Sequence, residues 1–133
     1  MGLRCVVIIP RKRVFVSFDF DRDRVLKEFI IGQAKSPDSP FEVIDMSMKE
    51  AAPMFSWLAD AELKIRRCEL VIVVLGLHTY KAPGVLKEVA VARRLKKPII
   101  QIIGYRNGKC TPVPDAGRVY TWNWENLKKV IRS

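Results

Sequence analysis

The sequence predicts an α/β fold: a single doubly wound parallel sheet of five strands in the order 2-1-3-4-5. Three observations carry the prediction. Leu70-Val71-Ile72-Val73-Val74-Leu75 is an apolar run without alternation, the pattern of a strand covered on both faces. Strand-like runs alternate with helix-period segments along the chain, and parallel neighbours need such helical crossovers. The length of 133 residues suits one core and is too short for two.

The elements follow in order. Residues 1–11 form an N-terminal strand or tail, and residues 12–133 form the domain. Arg13-Val14-Phe15-Val16-Ser17-Phe18 is the first strand, with Asp19-Phe20-Asp21 as its exit loop. A helix opens at Arg22 or Asp23 and runs to about Ala34, with Asp21 or Asp23 available as its cap. Ser36-Pro37-Asp38-Ser39-Pro40 is a loop, and Phe41 to Asp45 is a short second strand nearer an edge. Met46 to Pro53 is a loop. Phe55 to Arg67 is the next helix, with Phe55, Leu58, Ala59, Leu63 (or Glu62) and Ile65 facing inward. The central strand ends at Gly76, and a turn to Pro83 leads into a helix over Gly84 to Lys96. Lys97-Pro98 precedes the fourth strand, Ile99 to Ile103. A long loop, Gly104 to Gly117, leads to a fifth strand over Arg118 to Trp122. Asn123 caps a last helix, Trp124 to Ile131, anchored by Trp122 and Trp124. With strands one and three side by side, their exit loops form the two walls of a cleft at the carboxyl edge, where such flavodoxin-like sheets bind ligands.

Composition narrows the function classes. A hydrophobic fraction of 49% with 29% charged residues is that of a soluble globular chain. Three widely spaced cysteines, an odd number, argue against a disulfide framework and for the cytoplasm. No metal is expected: Cys5, Cys68 and Cys110 lack ligand spacing, and His78 is the lone histidine. The run Cys5 to Ile9 is too short to span a membrane. The net charge of +10 attracts polyanions, but the basic residues are dispersed and read first as a solvated surface; nucleic acid is not the expected partner.

One residue breaks the pattern. At about 100° per residue, Val85, Val89, Val91, Ala92 and Leu95 form the apolar stripe of the helix after the central strand. Glu88 falls inside it, between the directions of Ala92 and Leu95. A carboxylate on the core side of a helix is costly unless it has a partner or a task. Its place in the first two turns puts it beneath the carboxyl-edge cleft. Several familiar sites are absent: no G-x-G-x-x-G follows the first strand, and there is no phosphate-cradling G-x-x-x-x-G-K-[ST] and no G-x-S-x-G. Receiver domains share the topology, but Leu75-Gly76 offers no aspartate to phosphorylate.

The remaining pattern resembles a family. Val14-Phe15-Val16-Ser17-Phe18-Asp19, with Asp23 close behind, resembles the opening strand and loop of Toll/interleukin-receptor (TIR) domains. Cys68-Glu69 and the run to Leu75 resemble their central strand, Gly84-Val85-Leu86-Lys87-Glu88-Val89-Ala90 the helix bearing their catalytic glutamate, and Lys97-Pro98-Ile99-Ile100 the strand after it. The likeness spans roughly Lys12 to Ser133 and is greatest to the small TIR-like proteins of Thoeris bacterial antiviral systems. One departure is local: Ala82-Pro83-Gly84 stands where aromatic or Cys residues are usual.

The resemblance implies an enzyme that consumes NAD as substrate, with no cofactor. It would cleave the nicotinamide–ribose N-glycosidic bond, as a glycohydrolase or as a cyclase yielding a cyclic ADP-ribose-type signal. It also implies self-association through TIR–TIR contacts and an effector protein downstream. Glu88 would be catalytic. Among the residues that would hold substrate, Phe18, Phe20 and Tyr80 offer rings for stacking and Ser17 and Asp19 could bind hydroxyls. Lys81 or Arg22 could meet the diphosphate. Each has a plainer reading. Glu88 could serve the helix dipole or pair with Arg24. Ser17 and Asp19 could end a strand and cap a helix. Tyr80 could pack on the sheet end, His78 be a polar loop residue, and Trp57 pack its helix. Two other functions fit the same fold: a non-catalytic TIR-like adaptor, and a nucleoside deoxyribosyltransferase-like enzyme acting on nucleosides. An open cleft exposing Glu88 favours the enzyme; Glu88 tied to an arginine and sealed off favours the adaptor.

Overall fold

The computed structural model describes residues 12–19, 28, 31–32, 34–35, 39, 41–44, 54–103, 110–121 and 124–132, with the side chains at 54–57, 124, 126–127 and 132 left aside. The N-terminal segment, the exit-loop residues Phe20 to Asp23, Arg24 and Trp122, together with the Trp57 and Trp124 side chains, lie outside that description.

Five strands form one parallel sheet: β1 (Lys12–Ser17), β2 (Phe41–Val43), β3 (Leu70–Leu75), β4 (Ile99–Ile103) and β5 (Arg118–Thr121). The order is β2-β1-β3-β4-β5, as the sequence predicts. Helix α1 (Met54–Arg67) joins β2 to β3, α2 (Pro83–Arg94) joins β3 to β4, and α3 (Trp124–Arg132) follows β5. Glu28, Ile31, Gly32 and Ala34 are helical between β1 and β2. Every residue of β3 is buried, which is why its sequence shows no alternation.

Register fixes which residues share a face. Val73 lies between Ser17 on β1 and Gln101 on β4, and Gln101 pairs in turn with Val119 on β5. Side chains alternate along a strand, so Ser17, Val73 and Gln101 point to one face of the sheet. The next residues, such as Ile72 and Ile102, point to the other.

The inward face of α1 keeps the expected Leu58 and Ile65 but not Ala59 and Leu63. Ala61 and Ile65 are buried and Leu58 packs against the core, whereas Ala59 is exposed and Leu63 is 55% exposed. The steps 58, 61, 65 and on to buried Cys68 follow one helix face, and Leu63 stands off it. Helix α2 begins at Pro83, one residue earlier than predicted. Proline suits the first helical position because its missing N–H would have no partner there. Its end comes two residues earlier than predicted, because Lys96 turns to a positive φ of 58°.

The loop before β5 is tied to the sheet by Gln101, the one polar residue in Ile-Ile-Gln-Ile-Ile. Its Nε2 donates to the carbonyls of Val113 (3.1 Å) and Gly117 (3.0 Å), and its Oε1 accepts from the Val113 N–H at 2.7 Å. Val113 and Ala116 are thereby held in the core. Gln101→Leu strands these buried backbone groups, so its urea midpoint should fall by an amount equivalent to at least ~2 kcal/mol. An unchanged midpoint would show that the clamp is dispensable.

Candidate functional site

The site is built where β1 ends beside α2. On α2, Val85, Val89 and Ala92 repeat at helical spacing and pack inward, and Glu88 is buried among them at 0% exposure. A carboxylate has no apolar reason to sit there. Its partner comes from the sheet: the Ser17 hydroxyl donates to Glu88 Oε1 at 2.7 Å, in a contact spanning 71 positions of sequence. Ser17 is the last residue of β1 and faces α2 because β1 lies against β3 with Ser17 opposite Val73. Both side chains are sealed from solvent.

Of the predicted site residues, the structure brings Ser17 and Glu88 into contact. Asp19 is also buried, two residues past Ser17. Tyr80 and Lys81, both exposed, sit together on a 3₁₀ turn, Thr79–Lys81, with the Lys81 ammonium 5.9 Å from the centre of the Tyr80 ring. That distance is within reach of a cation–π contact. Phe20 and Arg22 lie outside the described residues, as does Arg24, the alternative partner expected for Glu88.

Phe18 is a correction. Its ring is 1% exposed and belongs to the core cluster with Val14 and Val16. The alternation that turns Ser17 toward α2 carries the next residue to the opposite face, so Phe18 has no open ring on which a substrate could stack. It serves the core.

One residue that the sequence reading passed over, Thr79, fixes the turn between β3 and α2. Thr79 is fully buried, and its Oγ1 accepts the Gly76 N–H at 2.7 Å, closing the turn as it leaves β3. The Ala82 N–H donates to the Thr79 carbonyl, leading the chain into α2. A threonine three residues past a strand-ending glycine was the available signal. His78 is exposed, and its carbonyl accepts the Lys81 N–H.

Cys68 offers little to such a site. Cys68 is buried and donates to the Ile65 carbonyl, and burial pushes its thiol up, so it stays protonated and unreactive. Among the described residues no group of three or more His, Cys, Asp or Glu could hold a metal ion. Among them, too, no helix is long and apolar enough to cross a membrane.

The Ser17–Glu88 pair predicts a stability effect. Ser17→Ala removes a buried donor from a buried carboxylate, and urea denaturation should register a loss of about 1–3 kcal/mol. A variant as stable as the wild type would mean that the carboxylate does not need the hydroxyl.

Known proteins share both the sequence pattern and the fold. The family model of the Thoeris protein ThsB, TIR-like domain, matches residues 15–107. Among solved structures, the CMP N-glycosidase BcmB of Clostridium botulinum is similar, with a TM-score of 0.56 and 18% identity over 91% of this chain and 95% of that chain. At that identity the likeness shows a shared fold. No curated protein matches the chain.

Proposed function

This chain belongs to the TIR-like family of the Thoeris protein ThsB, and we propose that it breaks an N-glycosidic bond of a nucleotide, the nicotinamide–ribose bond of NAD, with Glu88 as the catalytic carboxylate. One observation carries the reading: a glutamate buried on the core side of α2 and held by Ser17 at the carboxyl end of β1. Such a residue costs stability and packs no better than a leucine would, so its use is sought in chemistry. As the bond breaks, its electron pair leaves with the nicotinamide nitrogen and the ribose carbon becomes cation-like. A carboxylate fixed beside that carbon stabilises the growing positive charge. Attack by water gives ADP-ribose; attack from within the nucleotide gives a cyclic product, provided water is excluded.

Ser17 acts in this reading as a positioning residue, holding Oε1. Asp19 would take a ribose hydroxyl, Phe20 and Tyr80 a ring, and Lys81 the diphosphate. Glu88 is sealed, so substrate entry requires the surrounding segments to move apart. The proposal therefore expects turnover from an assembled form, a homo-oligomer acting in the cytoplasm, whose product an effector protein would read during antiviral defence.

The sealed glutamate also favours a second reading, a non-catalytic self-association module. A substrate panel separates the possibilities: NAD, CMP and a deoxynucleoside, each incubated with dilute and with concentrated protein and assayed for released base. Nicotinamide release that rises more than linearly with protein concentration is the expected result. Release from the deoxynucleoside alone would favour a deoxyribosyltransferase-like enzyme, and release from CMP alone would move the substrate to a nucleoside monophosphate. No release at any concentration would favour the module.

A further inference from the structure

At the opposite edge of the sheet, where the strands begin, an open cleft of about 480 Å³ lies between the end of α2 and the start of β4. Arg93, Lys96, Lys97 and Asp115 line it, over a floor that includes Ile99 and Gly117. We infer that this cleft is a binding site for a phosphate monoester, separate from Glu88 and independent of the chemistry proposed there.

Backbone conformation first marks the place. Among the described residues, the two non-glycine residues with positive φ are Lys96 and Asp115, both at 58°, and the positive-φ glycine is Gly117 at 85°. All three line this one cleft. An aspartate tolerates that region, but a lysine at the turn ending a helix occupies the position where glycine is cheapest. Strained residues persist where the surroundings hold them, and they gather at ligand sites.

Charge is the second mark. Helix ends attract cations by their dipole, and much of the basic charge at this edge is used that way or in ion pairs. Glu62 pairs with both Arg66 (3.1 Å) and Arg94 (2.8 Å), and Arg93 pairs with Asp115 (3.1 Å). Lys97 donates to the Arg66 carbonyl at 3.0 Å, at the end of α1. Lys96 is different. It has no acidic partner among the described residues, and the α2 carbonyls nearest it already accept backbone N–H groups: Val91 from Leu95, Ala92 from Lys97 and Arg93 from Lys96. The Lys96 ammonium is thus left for a ligand. Three cations and one carboxylate leave the cleft with an excess positive charge suited to a phosphate monoester, a near-dianion at neutral pH. A nucleoside monophosphate carries such a group.

Lys96→Gly tests the site, because it removes the ammonium while relieving the strained backbone. Calorimetric titration at low salt with inorganic phosphate, AMP, adenosine and duplex DNA should show saturable binding of phosphate and AMP to the wild type and none of adenosine. Lys96→Gly should weaken AMP binding by about tenfold or more while unfolding at the same or a higher temperature. Lys96→Arg should retain binding, and Glu88→Gln should bind AMP as the wild type does. Absence of saturable binding at millimolar AMP, or wild-type affinity in Lys96→Gly, would overturn the proposal. So would loss of AMP binding in Glu88→Gln, which would place the ligand at the glutamate, or binding of duplex DNA alone, which would make this edge a general polyanion surface.

Discussion

Glu88→Gln is expected to lose ~10²–10⁴ of the rate of nicotinamide release proposed for the wild type. The substitution suits the geometry better than alanine. A glutamine amide oxygen can accept the Ser17 hydroxyl at the same 2.7 Å and fills the same buried volume. It removes the negative charge and puts an amide NH2 in the place of Oε2. If the charge serves to stabilise a cationic ribose, removing it should cost activity while sparing the fold. A neutral amide is easier to bury than a carboxylate, while its NH2 group brings new donors to a buried place. The alanine variant differs, because it empties a core site and deprives Ser17 Oγ of this acceptor, so any loss of activity would be mixed with a loss of folded protein. Parallel thermal melts of both variants check the point: the Gln midpoint above the Ala midpoint.

Gly117→Ala has the largest expected effect on stability. At φ 85° the residue lies where L side chains strain, and an added Cβ would meet the Ile99 carbonyl oxygen at 1.9 Å. That oxygen is backbone of β4 and cannot rotate away as a side chain would. Relief requires β4 and the entry to β5 to separate, which would also pull the Gly117 carbonyl from Gln101. A loss of about 3 kcal/mol or more is expected in urea denaturation. Gly32→Ala is the matched contrast: the residue is helical, and nothing lies within 4 Å of an added Cβ. It should stabilise by ~0.5–1 kcal/mol, the ordinary gain of alanine over glycine in a helix. Equal effects at the two glycines would contradict the close approach of Gly117 to β4.

The strands were legible because burial leaves a direct trace. Leu70–Leu75 and Ile99–Ile103 stand at the predicted bounds, since Gly76 and Lys97-Pro98 punctuate them. The family was legible through the order and spacing of four short segments. Glu88 stood out because a charge on an apolar stripe is a local anomaly that needs no structure to detect. Its contact with Ser17 was beyond reach, since it depends on the register of β1 against β3 and joins residues 71 positions apart. The same register decided Phe18. A one-residue step along a strand reverses its face, and the sequence does not mark on which residue that step falls. In α1 the conspicuous Leu63 stands off the buried face, whereas the helix buries the less conspicuous Ala61 beside the expected Ile65. Gln101 was visible as the polar centre of an apolar run, but its clamp on Val113 and Gly117 needed the fold.

The central claim is that Glu88 breaks a glycosidic bond. The most direct measurement is mass-resolved chromatography of NAD incubated with concentrated wild type and with Glu88→Gln, at matched concentrations of folded protein. Free nicotinamide from the wild type and next to none from Glu88→Gln is the predicted result, with the mass of the partner product separating hydrolysis from cyclisation. Equal release from both proteins would contradict the role assigned to the glutamate.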